Sequence, residues 1–179
     1  ASVRYCPLPS ISGKTSIDWT AFAAELAPVE FNSSPVLGET GSRADWRIAL
    51  KPGRPLALGV WDGRPIFALP GNPVAVMVTF YQFVLPALRV YMGMTDASVL
   101  QLRATAVEDM RKRAGRMEFL RGVLESVDAG RLSVRRAGVQ GSGVLRSMSM
   151  ANCFIVLPED NAGVAKGDEV QVQPFAGLI

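Results

Sequence analysis

Hydrophobic and polar positions fall into three regimes along the chain. Residues 1–44 show no sustained period, because Pro7, Pro9, Gly13, Asn32, Pro35 and Gly38 break them up. One helix is expected there, over 17–26, with Ser16 or Asp18 as its cap: Trp19, Phe22, Ala23 and Leu26 share a helical stripe. The Gly-Glu-Thr-Gly-Ser run at 38–42 reads as a loop.

From Asp45 onward the runs become short and distinct. Residues 46–50 read as a strand, Lys51-Pro52-Gly53-Arg54-Pro55 as a loop, and 56–61 as a second strand. Asp62-Gly63 is a two-residue hairpin signal. Residues 64–69 are apolar with little alternation, which predicts a strand covered on both faces. Pro70-Gly71-Asn72-Pro73 then breaks the strand. Gly71 suits a positive φ or a close backbone approach, Asn72 suits an N-cap, and Pro73 suits the first position of a helix over 73–92 that Gly93 stops. Such a turn opens outward-pointing N–H groups, where α/β sheets take anionic ligands.

After Gly93 the period drops to two. Runs at 100–107, 117–124, 132–135, 153–157 and 169–172, with a turn at Asp128-Ala129-Gly130, predict about five short strands of a small antiparallel barrel or sandwich. The fold expected is therefore an α/β part over 45–96, a sheet with a covering helix, followed by a small all-β barrel domain over 97–179. Residues 1–44 stay unassigned.

Composition narrows the chemistry. The chain is 49% hydrophobic and 20% charged, enough for a sizeable core, and its net charge of +3 favours an anionic small molecule. It has no long basic block to track a phosphate backbone; Arg111-Lys112-Arg113 reads as a solvated turn, and Phe119 and Phe154 as core rather than base-stacking platforms, so nucleic acid is not an expected partner. There is no histidine, which removes Ser-His-Asp and Cys-His nucleophile systems and His-ligated metals. Cys6 and Cys153 fit no zinc or redox spacing; Cys153 reads as buried, and the cysteine usage points to the cytoplasm. No signal-peptide pattern is seen, and the first residue is Ala1, which reads as a fragment or a processed product. Thr79, Gln82, Pro86 and Arg89 interrupt the apolar run at 74–92, so a buried helix is expected there rather than a membrane span.

Three features carry candidate chemistry. Arg47, Lys51 and Arg54 flank a loop shaped by prolines and a glycine, which would present cations to an anion at low ordering cost; a solvated strand end is the alternative. Period two places Arg116 and Glu118 on one strand face as a surface pair and leaves Arg121 on the other unless a bulge intervenes. Gln140-Gly141-Ser142-Gly143 is either an anion-holding nest or a plain loop, and it lacks the ending of a P-loop.

Taken in order, these motifs resemble the C-terminal half of the molybdopterin molybdotransferases, relatives of the gephyrin E domain. The resemblance runs through Lys51-Pro52-Gly53-Arg54-Pro55, Leu69-Pro70-Gly71-Asn72-Pro73-Val74, Thr79 to Val84 with Pro86, Arg116 to Gly122, Gln140-Gly141-Ser142, Ala151 to Leu157 and Gly167-Asp168-Glu169-Val170, covering about residues 45–175. It implies molybdenum cofactor biosynthesis: insertion of molybdate into adenylylated molybdopterin with release of AMP, assisted by Mg²⁺, in a homodimeric enzyme. It also implies that residues 45–96 are the end of the molybdopterin-binding domain and that other molybdenum-cofactor biosynthesis proteins are candidate partners. Arg47 stands in place of a family lysine and Lys51 matches the next one; with Ser142 they are the implied catalytic residues. Arg54, Pro70, Gly71, Asn72, Pro73 and Arg121 are the implied cofactor-binding residues.

The family's first two domains and the Thr-Gly-Asp and Gly-Gly-x-Ser-x-Gly segments of its third have no match here. The expectation is a truncated or unusual member, not a competent enzyme alone, with no assignable Mg²⁺ ligand. The alternative is a non-catalytic cofactor-binding or dimerisation module of the gephyrin type.

Overall fold

The computed structural model describes residues 5–6, 41–53, 55–61, 64–127, 130–141 and 145–175. The helix expected at 17–26, the Asp62-Gly63 turn and Asp128-Ala129 lie outside these residues.

The first sheet runs in the order β1 (Tyr5–Cys6), β2 (Gly41–Ile48), β4 (Pro55–Trp61), β5 (Arg64–Ala68). β2 pairs antiparallel with β4, from Gly41 opposite Trp61 to Arg47 opposite Pro55, and β1 joins its other side in parallel. Gly41 and Ser42, expected in a loop, thus begin a strand, because β4 is long enough to pair with them. The strand expected over 46–50 is split. After Ala49 the chain leaves this sheet, and β3 (Leu50–Lys51) pairs in parallel with a barrel strand. β5 corrects a second expectation. Its apolar run predicts cover on both faces, but it is the sheet's edge, and Arg64, Pro65 and Ala68 are exposed. Pro65 has no N–H to offer a further strand, which suits an edge.

The Pro-Gly-Asn-Pro turn starts the helical run as expected. Asn72 caps it, its Oδ1 accepting from the N–H groups of Val74 (3.1 Å) and Ala75 (3.4 Å), with Pro73 in the first turn. The single helix expected over 73–92 is in fact three segments: α1 (Pro73–Thr79), a π-helical turn (Phe80–Val84) and α2 (Leu85–Tyr91). Pro86 gives the reason. Its ring would press on the carbonyl of residue 82, and widening the turn, so that the Leu85 N–H bonds Phe80 O, relieves the clash. Gly93, at φ 82°, ends α2: its N–H bonds Val90 O and that of Met94 bonds Arg89 O, which closes the last turn. The run Pro73–Tyr91 is long and apolar enough to cross a membrane by length and composition, yet half of its most apolar window is buried within the protein.

The second sheet closes on itself. β8 (Met117–Ser126), β9 (Leu132–Arg136), β6 (Leu102–Ala106), β12 (Glu169–Pro174) and β10 (Cys153–Leu157) form the ring, with β10 pairing back to β8. The small antiparallel barrel is thus present, with one departure: β6 and β9 run parallel. A short antiparallel ribbon, β7 (Met110–Arg111) with β11 (Gly163–Val164), caps the barrel, and α3 (Arg146–Met150) precedes β10.

β10 is buried at every position because both of its faces are covered. Cys153, Ile155 and Leu157 point into the barrel with Leu120, Val134 and Val172. Phe154 and Val156 point outward against Val74, Val78, Tyr81 and Phe83 of the helical run, with Leu56 and Leu58 of β4 and Met117 and Phe119 of β8. Phe119 and Phe154 are core residues, as expected. The Phe154 and Phe175 rings meet edge to face at 4.8 Å, and Tyr81 stacks on Phe175 at 6.0 Å. Burying each such side chain contributes about 1.5–3 kcal/mol. This apolar seam, together with β3, fastens the helix and first sheet to the barrel wall.

Candidate functional site

Where the seam ends, the chain leaves a cleft of about 770 Å³ between the Lys51 loop, the Pro70–Asn72 turn and one side of the barrel. β3 sets its geometry. Leu50 lies opposite Met117 and Lys51 opposite Glu118, so a lysine from one part of the chain and a carboxylate from the barrel become neighbours across a strand pair. The Lys51 ammonium donates to both Glu118 oxygens, at 3.2 and 3.3 Å. The two differ in exposure: the Lys51 side chain is 54% exposed, that of Glu118 only 8%. The Arg116–Glu118 surface pair expected from the sequence is thus replaced by a buried carboxylate facing Lys51.

Behind Lys51 the loop packs tightly on α1. Gly53 has φ 115°, and a Cβ there would sit 2.7 Å from Thr79 Cγ2, so both backbone shape and space demand glycine. Gly71, by contrast, has no protein atom within 4 Å of a built Cβ and is not among the positive-φ glycines, so the close approach expected of it is not made within the described residues. The N–H groups expected to face a ligand at this turn are partly occupied, since Asn72 takes those of Val74 and Ala75.

Arg121 forms the opposite wall. Register between β8 and β10 is unbroken from Glu118 to Gly122, so there is no bulge, and Arg121 shares the face of Met117 and Phe119. It is 1% exposed. Its Nε donates to Ser147 Oγ (3.0 Å) and its Nη2 to the carbonyls of Val139 (3.2 Å) and Gly141 (3.0 Å). Gln140 completes the tie, accepting from Arg121 N–H and donating to Arg121 O. Burial pulls the Arg121 pKa below its usual value, although a guanidinium stays charged at neutral pH. No carboxylate among the described residues forms an ion pair with it.

The cleft thus collects Lys51, Pro70, Gly71, Asn72 and Arg121 of the residues singled out from sequence. Pro73 is exposed at the start of α1 and outside the lining. Arg47 lies in β2, its Cα opposite those of Tyr5 and Pro55. Arg54 and Ser142 lie outside the described residues. Gln140 and Gly141, from the run read as a nest or a plain loop, also line the cleft, whereas sequence reasoning did not place Glu118, Arg111, Arg116 or Arg136 here. The solvated turn expected at Arg111-Lys112-Arg113 is instead ordered structure. Arg111 is in β7, and Lys112 is buried, donating to the carbonyls of Glu159 (3.1 Å) and Asn161 (2.7 Å).

Among the described lining residues there are thus five cationic side chains and one carboxylate, a composition suited to an anion. It is unsuited to Mg²⁺, which takes oxygen ligands, usually carboxylates. The described residues contain no group of three or more metal-ligating side chains, and Glu118 is already held by Lys51.

Comparison with known proteins adds to this geometry. Residues 103–175 match the family model described as MoeA C-terminal region (domain IV), and residues 35–90 match the one described as probable molybdopterin binding domain. The chain is 36% identical over 161 residues to the molybdopterin molybdenumtransferase of Haemophilus influenzae, covering 89% of this chain and 40% of that protein. It is 34% identical to molybdopterin molybdenumtransferase 2 of Mycobacterium tuberculosis, covering 88% and 38%. Among solved structures, it is similar to a molybdopterin biosynthesis moeA protein from Pyrococcus horikoshii (TM-score 0.61, 28% identity, 78% of this chain and 34% of that one). It is also similar to a molybdenum cofactor biosynthesis protein from Pyrococcus furiosus (TM-score 0.55, 33% identity, 71% and 43%). The chain spans about 40% of the length of the curated relatives it matches.

Proposed function

The chain belongs to the molybdopterin molybdenumtransferase family of molybdenum cofactor biosynthesis, and from that premise we propose that its cleft takes part in inserting molybdate into adenylylated molybdopterin with release of AMP. The observation that carries the proposal is the meeting of Lys51 and Arg121, from separate stretches of chain, in one cationic cleft. Molybdate is a dianion and the pterin substrate carries phosphate groups, so both need cations held in place before they arrive. Arg121 meets that need by burial and a fixed hydrogen-bond frame, Lys51 by reach. Molybdate would displace Glu118 as the partner of the Lys51 ammonium, and the carboxylate would hold that ammonium in the cleft until then. The protein supplies position and charge; the sulfur atoms of the pterin receive the metal. No step is assigned to Mg²⁺, for which the described residues offer no site.

The test is AMP release from adenylylated molybdopterin by this chain in the presence of molybdate and Mg²⁺. Release above the protein-free rate would establish the reaction. Binding of the adenylylated pterin and of molybdate without release would limit the chain to holding substrates. Failure to bind either would sink the proposal.

A further inference from the structure

Behind the cleft lies a second buried charge. Burial alternates along β7 and the residues after it: Met110 and Lys112 are buried, Arg111 and Arg113 exposed. Met110 belongs to the barrel core, so Lys112 is turned toward the same capped end of the barrel. On β8, alternation puts Glu118 on the face of Leu120, another barrel-core residue, and Glu118 lies opposite Leu157, a third. A buried ammonium and a buried carboxylate therefore approach one end of the barrel from different strands.

Lys112 is held but not neutralised. Its Nζ donates to Glu159 O (3.1 Å) and Asn161 O (2.7 Å), which occupies two of its three N–H donors. No carboxylate among the described residues forms an ion pair with it, and it does not line the cleft. Glu159 O also accepts from the Gly115 N–H at 2.9 Å, which places the Lys112 ammonium beside Gly115. Gly115 is three residues before Glu118, a span of at most about 10 Å that the Glu118 side chain can largely cover. Burial lowers the Lys112 pKa, and the Glu118 carboxylate is foremost among the charges that raise it back, ahead of Asp160 and Glu159. Arg116 shares the Glu118 face but is exposed, where water and salt screen it. Glu118 itself has one ion-pair partner among the described residues, Lys51. An anion that takes the Lys51 ammonium would strand a carboxylate whose side chain is 8% exposed, and stranding it opposes anion binding.

We propose that Lys112 is a second partner for the Glu118 carboxylate, receiving it when an anion takes Lys51, and is thus a positioning residue for anion binding that never touches the anion. The anion's part rests on the proposed function; the handover does not, because Lys51→Ala frees the carboxylate as well. Two sets of variants test it. In the first, inorganic molybdate is titrated calorimetrically, at constant ionic strength, into the wild-type chain, K112M, E118Q and K112M/E118Q. K112M should weaken molybdate binding roughly tenfold, and K112M/E118Q should bind within about twofold of E118Q. In the second, urea unfolding of the wild type, K112M, K51A and K51A/K112M is compared with that of the same four chains carrying E118Q. Lys112→Met should lower the midpoint more in K51A than in the wild type, and E118Q should remove that excess. K112Q keeps N–H donors for the two carbonyls without the charge, and replaces K112M in both sets should K112M not fold. A lysine that only ties down the 159–161 turn would give the same loss with and without E118Q, and that result would overturn the handover. So would the lack of an excess in K51A, whatever molybdate does. If molybdate fails to bind the wild type while the excess is seen in K51A and removed by E118Q, the proposed function fails and the handover stands.

Discussion

Gln82 and Gln173, 91 residues apart, are joined amide to amide in the protein interior: Gln82 Nε2 donates to Gln173 Oε1 at 2.6 Å, and Gln173 Nε2 returns a long bond at 3.5 Å. Both are buried, one on the π-helical turn and the other on β12. A buried amide left alone costs about 1–3 kcal/mol, whereas replacing both partners with apolar groups is close to neutral. Gln82→Leu should therefore destabilise the protein by about that amount. Gln82→Leu combined with Gln173→Leu should cost less than the two single changes added together. Urea unfolding of the four proteins gives the coupling; strict additivity would refute the link.

Arg121 should matter for folding as much as for ligand. Arg121→Lys keeps the charge but cannot reach Ser147, Val139 and Gly141 together. The loss should be about 2–4 kcal/mol, because buried acceptors lose their donor. An unchanged urea midpoint would show that the guanidinium does not hold the 139–141 segment.

Lys51→Ala separates binding from stability. It leaves the Glu118 carboxylate in its buried place without its ammonium partner, and should both weaken molybdate binding roughly tenfold and lower the melting temperature. Adding Glu118→Gln should restore the melting temperature, since the stranded charge is gone, and should not restore molybdate affinity. Recovery of both together would mean that Lys51 does not touch the anion.

Acid should remove a small, identifiable part of the stability. Glu108 accepts from the Arg136 side chain at 2.9 Å and from the Arg136 N–H at 2.7 Å, and these bonds hold its pKa below the ordinary 4.5. A carboxylate depressed in the folded state stabilises it above the unfolded pKa, near 4.5, and loses that contribution as pH falls through the lower folded value. The pair is partly exposed, so the effect is at most about 1 kcal/mol. Glu108→Gln should flatten the pH dependence of stability below 4.5 by that amount; an identical profile would exclude this pair as its source.

What the sequence made legible followed from local rules. Asn72 and Pro73 announce a helix start because capping needs only four neighbouring residues, and Gly93 announces its end for the same reason. The barrel strands show because one face alternates. Where two faces are buried, as at Cys153–Leu157, alternation vanishes, and the same signature misassigned β5, which is instead an edge strand with Ile66 and Phe67 half-buried and Arg64, Pro65 and Ala68 exposed. The π-helical turn was hidden because a run apolar all round gives the same pattern at 3.6 or 4.4 residues per turn. The cleft was half visible. Lys51 and Arg121 stand in motifs, but Glu118 and Arg116 are two apart in sequence and read as each other's partners. Only the parallel pairing of β3 with β8, a contact 67 residues long-range, gives Glu118 to Lys51 and leaves Arg116 without an ion-pair partner among the described residues.

That pairing also bears on how quickly a ligand can enter. The two walls of the cleft are stitched by the pairing of β3 with β8 and by the Met117 N–H to Ala49 O bond beside it, at 2.9 Å, and behind them by the buried aromatic seam. Walls joined in this way do not swing apart, so the cavity is a standing socket and not a jaw. Anions would then arrive at a rate set by diffusion and charge steering, rising linearly with concentration and falling with salt, with no slow closing step to saturate it.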